Sequence, residues 1–187
     1  MMAALMIFFV SCETNAIEPD DSEHTLKAAT IHYKDSDGSD FYLCFDNYGK
    51  QRRWEGVIQD GDHGIFIFDK INGKYHIWGA KTGWINDIFV HPNAAFAPSI
   101  PYFAETYKKI FLYWNMAQGA TKTTETIAGQ SCDVYRIPVD VTTSVYGVWE
   151  DAVMLRISDS SNDLVAVSAK RGCPEQAFTK TLEINWK

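Results

Sequence analysis

The chain has 187 residues, of which 46% are hydrophobic and 14% aromatic, and 24 acidic against 17 basic side chains give a formal net charge of −7. This composition predicts one globular domain with a substantial core. It excludes a typical nucleic-acid-binding protein, because the chain is acidic and has no run of Lys or Arg. The high aromatic content favours strands and apolar cavities.

The first segment, residues 1–11, is uncharged and mostly apolar, and it is followed directly by Cys12. A membrane-spanning helix needs about 20 apolar residues, so a run of this length fits the apolar part of a signal peptide instead. Because no Lys or Arg precedes Lys27, we expect a basic n-region upstream of the given start. The alternative is a short buried strand that ends in a core cysteine.

The end of this segment, Phe9-Val10-Ser11-Cys12, resembles the lipobox of bacterial lipoproteins. The resemblance implies that the Cys12 thiol carries a diacylglyceryl group and that Cys12 is the first residue of the mature protein. Two acyl chains anchor a protein durably to a membrane. Residues 12–24 are polar and are expected to form a tether. We therefore expect an exported, membrane-anchored lipoprotein of a Gram-negative cell envelope, on the periplasmic or the surface side.

Three cysteines remain beyond Cys12, at positions 44, 132 and 173. An oxidising compartment favours one disulfide among them, and the sequence leaves all three pairings open. Cys44 lies in an apolar stretch, so we expect it to be a free core thiol.

Alternating apolar residues separated by turn-forming residues predict a meandering antiparallel sheet before and after a central helix. The expected strands are residues 25–34, 41–45, 51–59, 65–69, 74–78, 123–128, 132–139, 148–158, 164–169 and 178–186. Between the two groups, apolar residues at helical spacing predict one long helix over Ser99–Gln118. Ser99 is a candidate N-cap, and Gly119 is suited to end the helix.

Three stretches, in this order along the chain, resemble the LolA/LolB-like superfamily of outer-membrane lipoprotein-sorting carriers and their secreted relatives. They are residues 45–55 (FDNYGKQRRWE), 126–135 (TIAGQSCDVY) and 148–155 (VWEDAVML). The resemblance covers about residues 25–187, taken as a single domain. It implies a mostly β, α+β fold in which a strongly curved antiparallel open barrel carries the long helix on its concave face.

No motif for catalysis or metal binding stands out. The acidic stretch that begins at Asp35 lacks the glycine position of a calcium loop, so it is expected to be a hairpin tip. The five histidines have no metal-binding spacing, and no GxSxG sequence marks a nucleophile. We therefore expect no metal, no cofactor and no enzymatic activity, and a hydrolase is the weakest alternative.

Aromatic side chains give the functional expectation. Those of the predicted sheet and helix are expected to line an apolar cavity between the two elements, large enough for an acyl chain or a similar ligand. The candidate lining residues are Phe66, Phe68, Tyr75, Trp78, Phe103, Tyr107, Phe111 and Trp114. The sequence thus predicts a non-enzymatic protein that binds an apolar or amphiphilic, lipid-like ligand. The alternative is a structural component of an envelope assembly with a solid core. The oligomeric state stays open.

Overall fold

The computed structural model describes residues 26–57, 63–69, 71–72, 74–86, 115–159 and 163–186. Its strands form one antiparallel sheet of 11 strands, ordered β6-β5-β4-β3-β2-β1-β11-β10-β9-β8-β7. The strands are β1 Ala29–Lys34, β2 Asp40–Asp46, β3 Gln51–Val57, β4 His63–Asp69, β5 Lys74–Gly79, β6 Gly83–Asn86, β7 Thr121–Ile127, β8 Gln130–Val139, β9 Thr142–Trp149, β10 Val153–Ser158 and β11 Asp163–Arg171.

The sheet consists of two meanders, β1–β6 and β7–β11, in which each strand pairs with its neighbour in sequence. The two meanders are joined by the antiparallel pairing of β1 with β11, where Ala29 lies opposite Arg171 and Ile31 opposite Ala169. Strands β6 and β7 are the two outer strands and are not paired with each other.

Short turns account for the meander. Asp69 ends β4, and its carboxylate accepts hydrogen bonds from the Asn72 backbone N–H at 3.0 Å and from Asn72 Nδ2 at 2.7 Å. Between β7 and β8, Ala128 and Gly129 both have positive φ angles, of 51° and 78°. This is the backbone of a tight two-residue hairpin, in which glycine adopts the positive φ without strain.

The sheet has two faces with different coverings. Residues directly opposite in an antiparallel pair lie on the same face, and Ile31, Leu43, Trp54 and Phe66 form one such row across β1 to β4. We call this side the apolar face. The other side carries the row Thr30, Cys44, Arg53, Ile67 and His76. We call it the strap face, because residues 172–186, the strap, contact it.

The main core cluster draws side chains from both meanders. Its fully buried members include Ile31, Leu43 and Phe45 from the first meander and Val134 and Leu155 from the second. The hydroxyl of buried Tyr33 donates to the Met154 carbonyl at 2.9 Å and so links β1 to β10. The two meanders thus share one core at the β1–β11 seam. Because apolar burial is the main favourable term in folding, this shared core stabilises the joint between them.

The expected α+β open barrel with one long helix is wrong. The described chain is nearly all sheet, the sheet is not closed, and the described residues contain no helix of seven residues or more. Most of the expected helix Ser99–Gln118 lies outside the described residues; residues 115–117 are helical, and Gln118 and Gly119 form a turn. Asn47–Gly49 forms a short 3-10 turn. Among the described residues, strands therefore make up nearly all of the regular secondary structure.

Two strand predictions are also wrong. Residues 148–158 are not one strand, because β9 and β10 are separated by a turn at Glu150 and Asp151, both with positive φ. Residues 178–186 form turns and irregular backbone instead of a strand. The sequence pattern also missed β6. Strand predictions at residues 41–45, 65–69, 74–78 and 132–139 are confirmed within one or two residues at each end.

Candidate functional site

A group of aromatic side chains on the apolar face surrounds Trp54. The Trp54 ring stacks on Phe41 at 5.4 Å between ring centroids and lies tilted against Tyr33 at 6.1 Å. Phe41 occupies the space above Gly56, where an added Cβ would lie 2.1 Å from the Phe41 ring. Gly56 therefore allows the ring to reach Trp54, and any side chain there would displace it.

The Trp54 indole is a buried donor. The residue is 3% exposed, and its Nε1 has no hydrogen-bond acceptor among the described residues. Buried polar groups in proteins nearly always have a partner. Phe66 lies directly opposite Trp54 on β4 and is only partly buried. The orphan donor thus lies beside incompletely covered aromatic surface.

Arg52 brings a positive charge to the same face. It lies opposite Phe68, and its guanidinium carbon is 5.1 Å from the centre of the Phe68 ring. Arg52 Nε also donates to the Gly49 carbonyl at 2.6 Å, which fixes the side chain over the ring. We call Trp54, Phe66, Phe68 and Arg52 the Trp54 sector.

The candidate cavity residues are only partly brought together. Phe66 and Phe68 share the apolar face, and Tyr75 occupies the register position opposite Phe68. Trp78 lies opposite Ile65, on the strap face, where its ring meets His63 edge-on at 5.9 Å. Phe103, Tyr107, Phe111 and Trp114 lie outside the described residues, as do the signal segment 1–11, the lipidation candidate Cys12 and the tether 12–24.

The strap is covalently fixed at its beginning. Cys173 forms a disulfide with Cys44 of β2, with a Cα–Cα distance of 5.9 Å. The expectation that Cys44 is a free core thiol is therefore wrong. Cys44 is indeed buried, but its side chain points to the strap face, where Cys173 reaches it. Cys132 is the free, buried cysteine among the described residues.

Arg53 holds the middle of the strap. Its side chain is fully buried, and its Nη2 donates to Glu55 Oε2 at 2.8 Å and to the Thr181 carbonyl at 2.9 Å. Nη1 lies 3.5 Å from the Ala177 carbonyl and 3.4 Å from the Thr179 carbonyl. One guanidinium thus binds three carbonyls of the strap and one carboxylate of the sheet. Burial lowers the pKa of Arg53, and the neighbouring Glu55 carboxylate opposes that change.

The end of the strap rests on aromatic side chains. Trp186 stacks on Tyr42 at 5.0 Å, and Tyr42 in turn stacks on His32 at 4.5 Å. Lys170 Nζ donates to the Trp186 carbonyl at 3.2 Å. The disulfide, Arg53 and this stack fasten the strap at its start, its middle and its end.

A pocket of about 590 Å³ lies between the strap and the sheet. Its floor includes Asp46, Gln51, Asp69 and Lys74, which the register places side by side across β2, β3, β4 and β5. The strap supplies the opposite wall. The described residues that line it are Asp46, Gln51, Asp69, Asn72, Lys74, His76, Cys173, Pro174, Glu175, Phe178, Thr179 and Lys180.

Asp69 is the most constrained carboxylate of this pocket. Burial alone would raise its pKa, but hydrogen bonds from Asn72 and from the Gln51 side chain outweigh burial and lower it. Asp69 is therefore ionised at neutral pH and gives the pocket floor a fixed negative charge beside Lys74.

Sequence reasoning missed the strap, Arg53 and the pocket. The pocket residues come from separate turns and strands, and the register that brings them together is not visible in the sequence. A buried Arg was also missed, because in a pattern of alternating polarity it resembles a surface Arg.

The described residues contain no group of three or more His, Cys, Asp or Glu that is suited to hold a metal ion. Among those same residues, no helix is long and apolar enough to cross a membrane.

Comparisons with known proteins leave the family open. No protein-family model matches the chain, and no curated protein is significantly similar to it.

Proposed function

We propose that this chain is an exported lipoprotein of a Gram-negative cell envelope, anchored through Cys12, that binds an apolar or amphiphilic ligand without catalysing a reaction. The observation that carries the ligand-binding part is the buried, unsatisfied Trp54 Nε1 beside the partly buried Phe66. Leaving a buried donor without an acceptor costs about 1–3 kcal/mol. A ligand oxygen at this position would remove that cost.

The remaining residues of the Trp54 sector define the ligand class. Phe66 and Phe68 offer apolar surface to a hydrocarbon chain, and Arg52 lies one row further along the same face. A molecule with a hydrocarbon tail and an oxygen-bearing, anionic head matches this order of apolar surface, N–H donor and positive charge. A fatty acid is the simplest such molecule. The LolA/LolB-like resemblance is part of the proposal, since carriers of that kind handle acylated ligands.

The disulfide supports the export part of the proposal. Cys44–Cys173 closes a loop of sequence separation 129, and disulfides persist in oxidising compartments such as the periplasm. The pairing therefore agrees with a chain that leaves the cytosol.

Oleate binding to the full chain tests the ligand. We expect organic extraction and mass spectrometry of the purified protein to release a lipid-like molecule, and oleate to bind the emptied protein in calorimetric titration. Trp54→Phe keeps an aromatic ring but removes the N–H, so oleate affinity should fall about fivefold. Trp84 lies opposite Trp78 and so on the strap face; Trp84→Phe is the matched control and should leave affinity unchanged. A protein that purifies empty and does not bind oleate would contradict the proposal.

A second candidate, a structural component of an envelope assembly, is favoured by one observation. The β8–β9 hairpin exposes apolar side chains at its tip, with Val141 of the turn 98% and Val139 at the end of β8 46% exposed. Exposed apolar side chains in a cluster are typical of contact surfaces. Val141→Asp should abolish co-purification with envelope proteins if this candidate is right, and should leave oleate binding unchanged if the first candidate is right.

A further inference from the structure

The pocket beneath the strap is a second site, on the opposite face of the sheet from the Trp54 sector. Its volume of about 590 Å³ lies in the range of small-molecule sites, about 300–1,000 Å³. Both of its walls are fixed: the floor by the strand ladder, and the opposite wall by the disulfide and by Arg53. A pocket with fixed walls is formed before any ligand arrives.

The charges of the pocket are mixed. Among the described residues of the lining there are three carboxylates, from Asp46, Asp69 and Glu175, and two ammonium groups, from Lys74 and Lys180. Along the floor, the register places Asp46, Gln51, Asp69 and Lys74 side by side on neighbouring strands, about 5 Å apart. Opposite charges at this spacing largely cancel, so the pocket has little preference for a ligand of strong net charge.

The donors and acceptors of the pocket are varied. Carboxylates only accept, lysines only donate, and Gln51 and Asn72 do both. Some of this capacity is already used: Asp69 accepts from Asn72, Asp46 accepts from the Asn47 N–H at 2.6 Å, and Gln51 accepts from Asn47 Nδ2 at 2.8 Å. These internal bonds orient the planar groups. Lys74, Glu175 and Lys180 at the rim are exposed and have no ion pair with any described residue.

An aromatic side chain completes the lining. Phe178 of the strap is partly buried and faces the same pocket. A ligand that fits must therefore offer an apolar patch to a ring and, around it, groups that both donate and accept hydrogen bonds. Hydroxyl groups do both, and the C–H face of a sugar ring is such a patch.

We propose that this pocket binds a small, neutral, polyhydroxylated molecule, that is, a saccharide. Lys74, Glu175 and the oriented amides of Gln51 and Asn72 hydrogen-bond its hydroxyl groups, and Phe178 packs on its C–H face. The site is independent of the Trp54 sector, because the two lie on opposite faces of the sheet.

Calorimetric titration of the full, oxidised chain tests this site with four probes. They are maltose, which is neutral, glucuronate, which is anionic, glucosamine, which is cationic, and glycylglycine, a zwitterion. We expect maltose to bind in the millimolar range or tighter and the other three to bind more weakly. Lys74→Met and Glu175→Met each remove one hydrogen-bonding group from the exposed rim and should lower maltose affinity about threefold to tenfold. Because both residues are exposed, the variants should fold.

Lys27→Met is the matched control, since Lys27 is exposed and lies outside the pocket, and it should leave maltose affinity unchanged. The proposal is overturned if no probe binds, if glycylglycine or a charged probe binds more tightly than maltose, or if Lys27→Met weakens maltose as much as Lys74→Met does. If Lys74→Met lowers maltose affinity but leaves oleate affinity unchanged, the two sites are also shown to be separate.

Discussion

Arg53 and Glu55 form a buried ion pair on the strap face, with Arg53 Nη2 2.8 Å from Glu55 Oε2 and the Arg53 side chain fully buried. The two residues lie two positions apart on β3, so both point to the same face of the sheet. Glu55 also lies 3.3 Å from His63 Nε2 through its second oxygen. The Arg53 guanidinium therefore connects a carboxylate of the sheet with the backbone of the strap.

Replacing Arg53 with Met should destabilise the protein by about 3–5 kcal/mol, because the buried Glu55 carboxylate would lose its buried cationic partner and three strap carbonyls would lose their donor. Urea denaturation measures the change in the free energy of unfolding, and limited proteolysis should show cleavage within the strap. Arg52→Met, on the apolar face of the same strand, is the control and should cost about 1 kcal/mol or less. Equal stability of the two variants, with a protease-resistant strap, would refute the role of Arg53.

The disulfide gives a prediction on thiol labelling. If Cys12 is lipidated, iodoacetamide in denaturant without a reductant should label only Cys132, and labelling after reduction should add Cys44 and Cys173. Mass spectrometry of the peptides counts the labels.

Removing the disulfide should also destabilise the protein. Cys173→Ser should cost about 2–5 kcal/mol, as is usual when a native disulfide is removed, and urea denaturation measures it. Comparison with Cys132→Ser separates the loss of the cross-link from the loss of a buried thiol. Labelling of Cys44 before reduction would show that the two cysteines are not paired.

The free thiol of Cys132 predicts a pH dependence at alkaline pH. Burial raises the pKa of Cys132 from its ordinary value of 9.0 to about 11, so the unfolded chain loses this proton at lower pH than the folded chain does. Between pH 9 and 11 the folded state thus holds more protons, and stability falls as pH rises through this interval. Below pH 9 both states keep the proton, and the effect is absent.

Urea denaturation at several pH values between 8 and 11 measures this slope. Cys132→Ala removes the group and should flatten the slope on the alkaline side. If wild type and Cys132→Ala lose stability in parallel, another group is responsible. In the native protein at pH 8, the thiol should also react slowly with thiol reagents, because it is protonated and 1% exposed.

Membrane attachment is tested by Cys12→Ala. If Cys12 carries the lipid anchor, the variant should move from the membrane fraction to the soluble fraction, since the two acyl chains are lost. Ser11→Ala keeps a small residue before the cysteine and serves as the control that should stay membrane-bound. An unchanged membrane fraction for Cys12→Ala would contradict the anchor.

The sequence predicted the strands better than it predicted their connections. Strands with clear alternation and a strong turn signal, such as β4 and β5 around Asn72, match within two residues. The turn between β9 and β10 was missed because Glu150 and Asp151 adopt positive φ without the glycine or proline that usually marks a turn. The sequence thus predicted turns only where turn-forming residues such as glycine, proline or asparagine occur.

The candidate site was harder to predict, for a tertiary reason. Residues 178–186 alternate in polarity as a strand does, but carbonyls of the strap bond to Arg53 rather than to a neighbouring strand. Phe66 and Trp78 both looked like cavity residues, and the strand register places them on opposite faces. Neither outcome follows from a one-dimensional pattern, because both depend on which strands become neighbours.

The pairing of β1 with β11 has a consequence for biogenesis. A chain that emerges from its N-terminal end can complete the β1–β6 meander early, but β1 then presents an open row of N–H and C=O groups until β11 arrives. Such an edge is a template for pairing with another chain, and contacts between residues this far apart in sequence form slowly. The newly made protein therefore passes through a stage in which it is prone to aggregation, and that stage ends only when the last strand of the sheet takes its place.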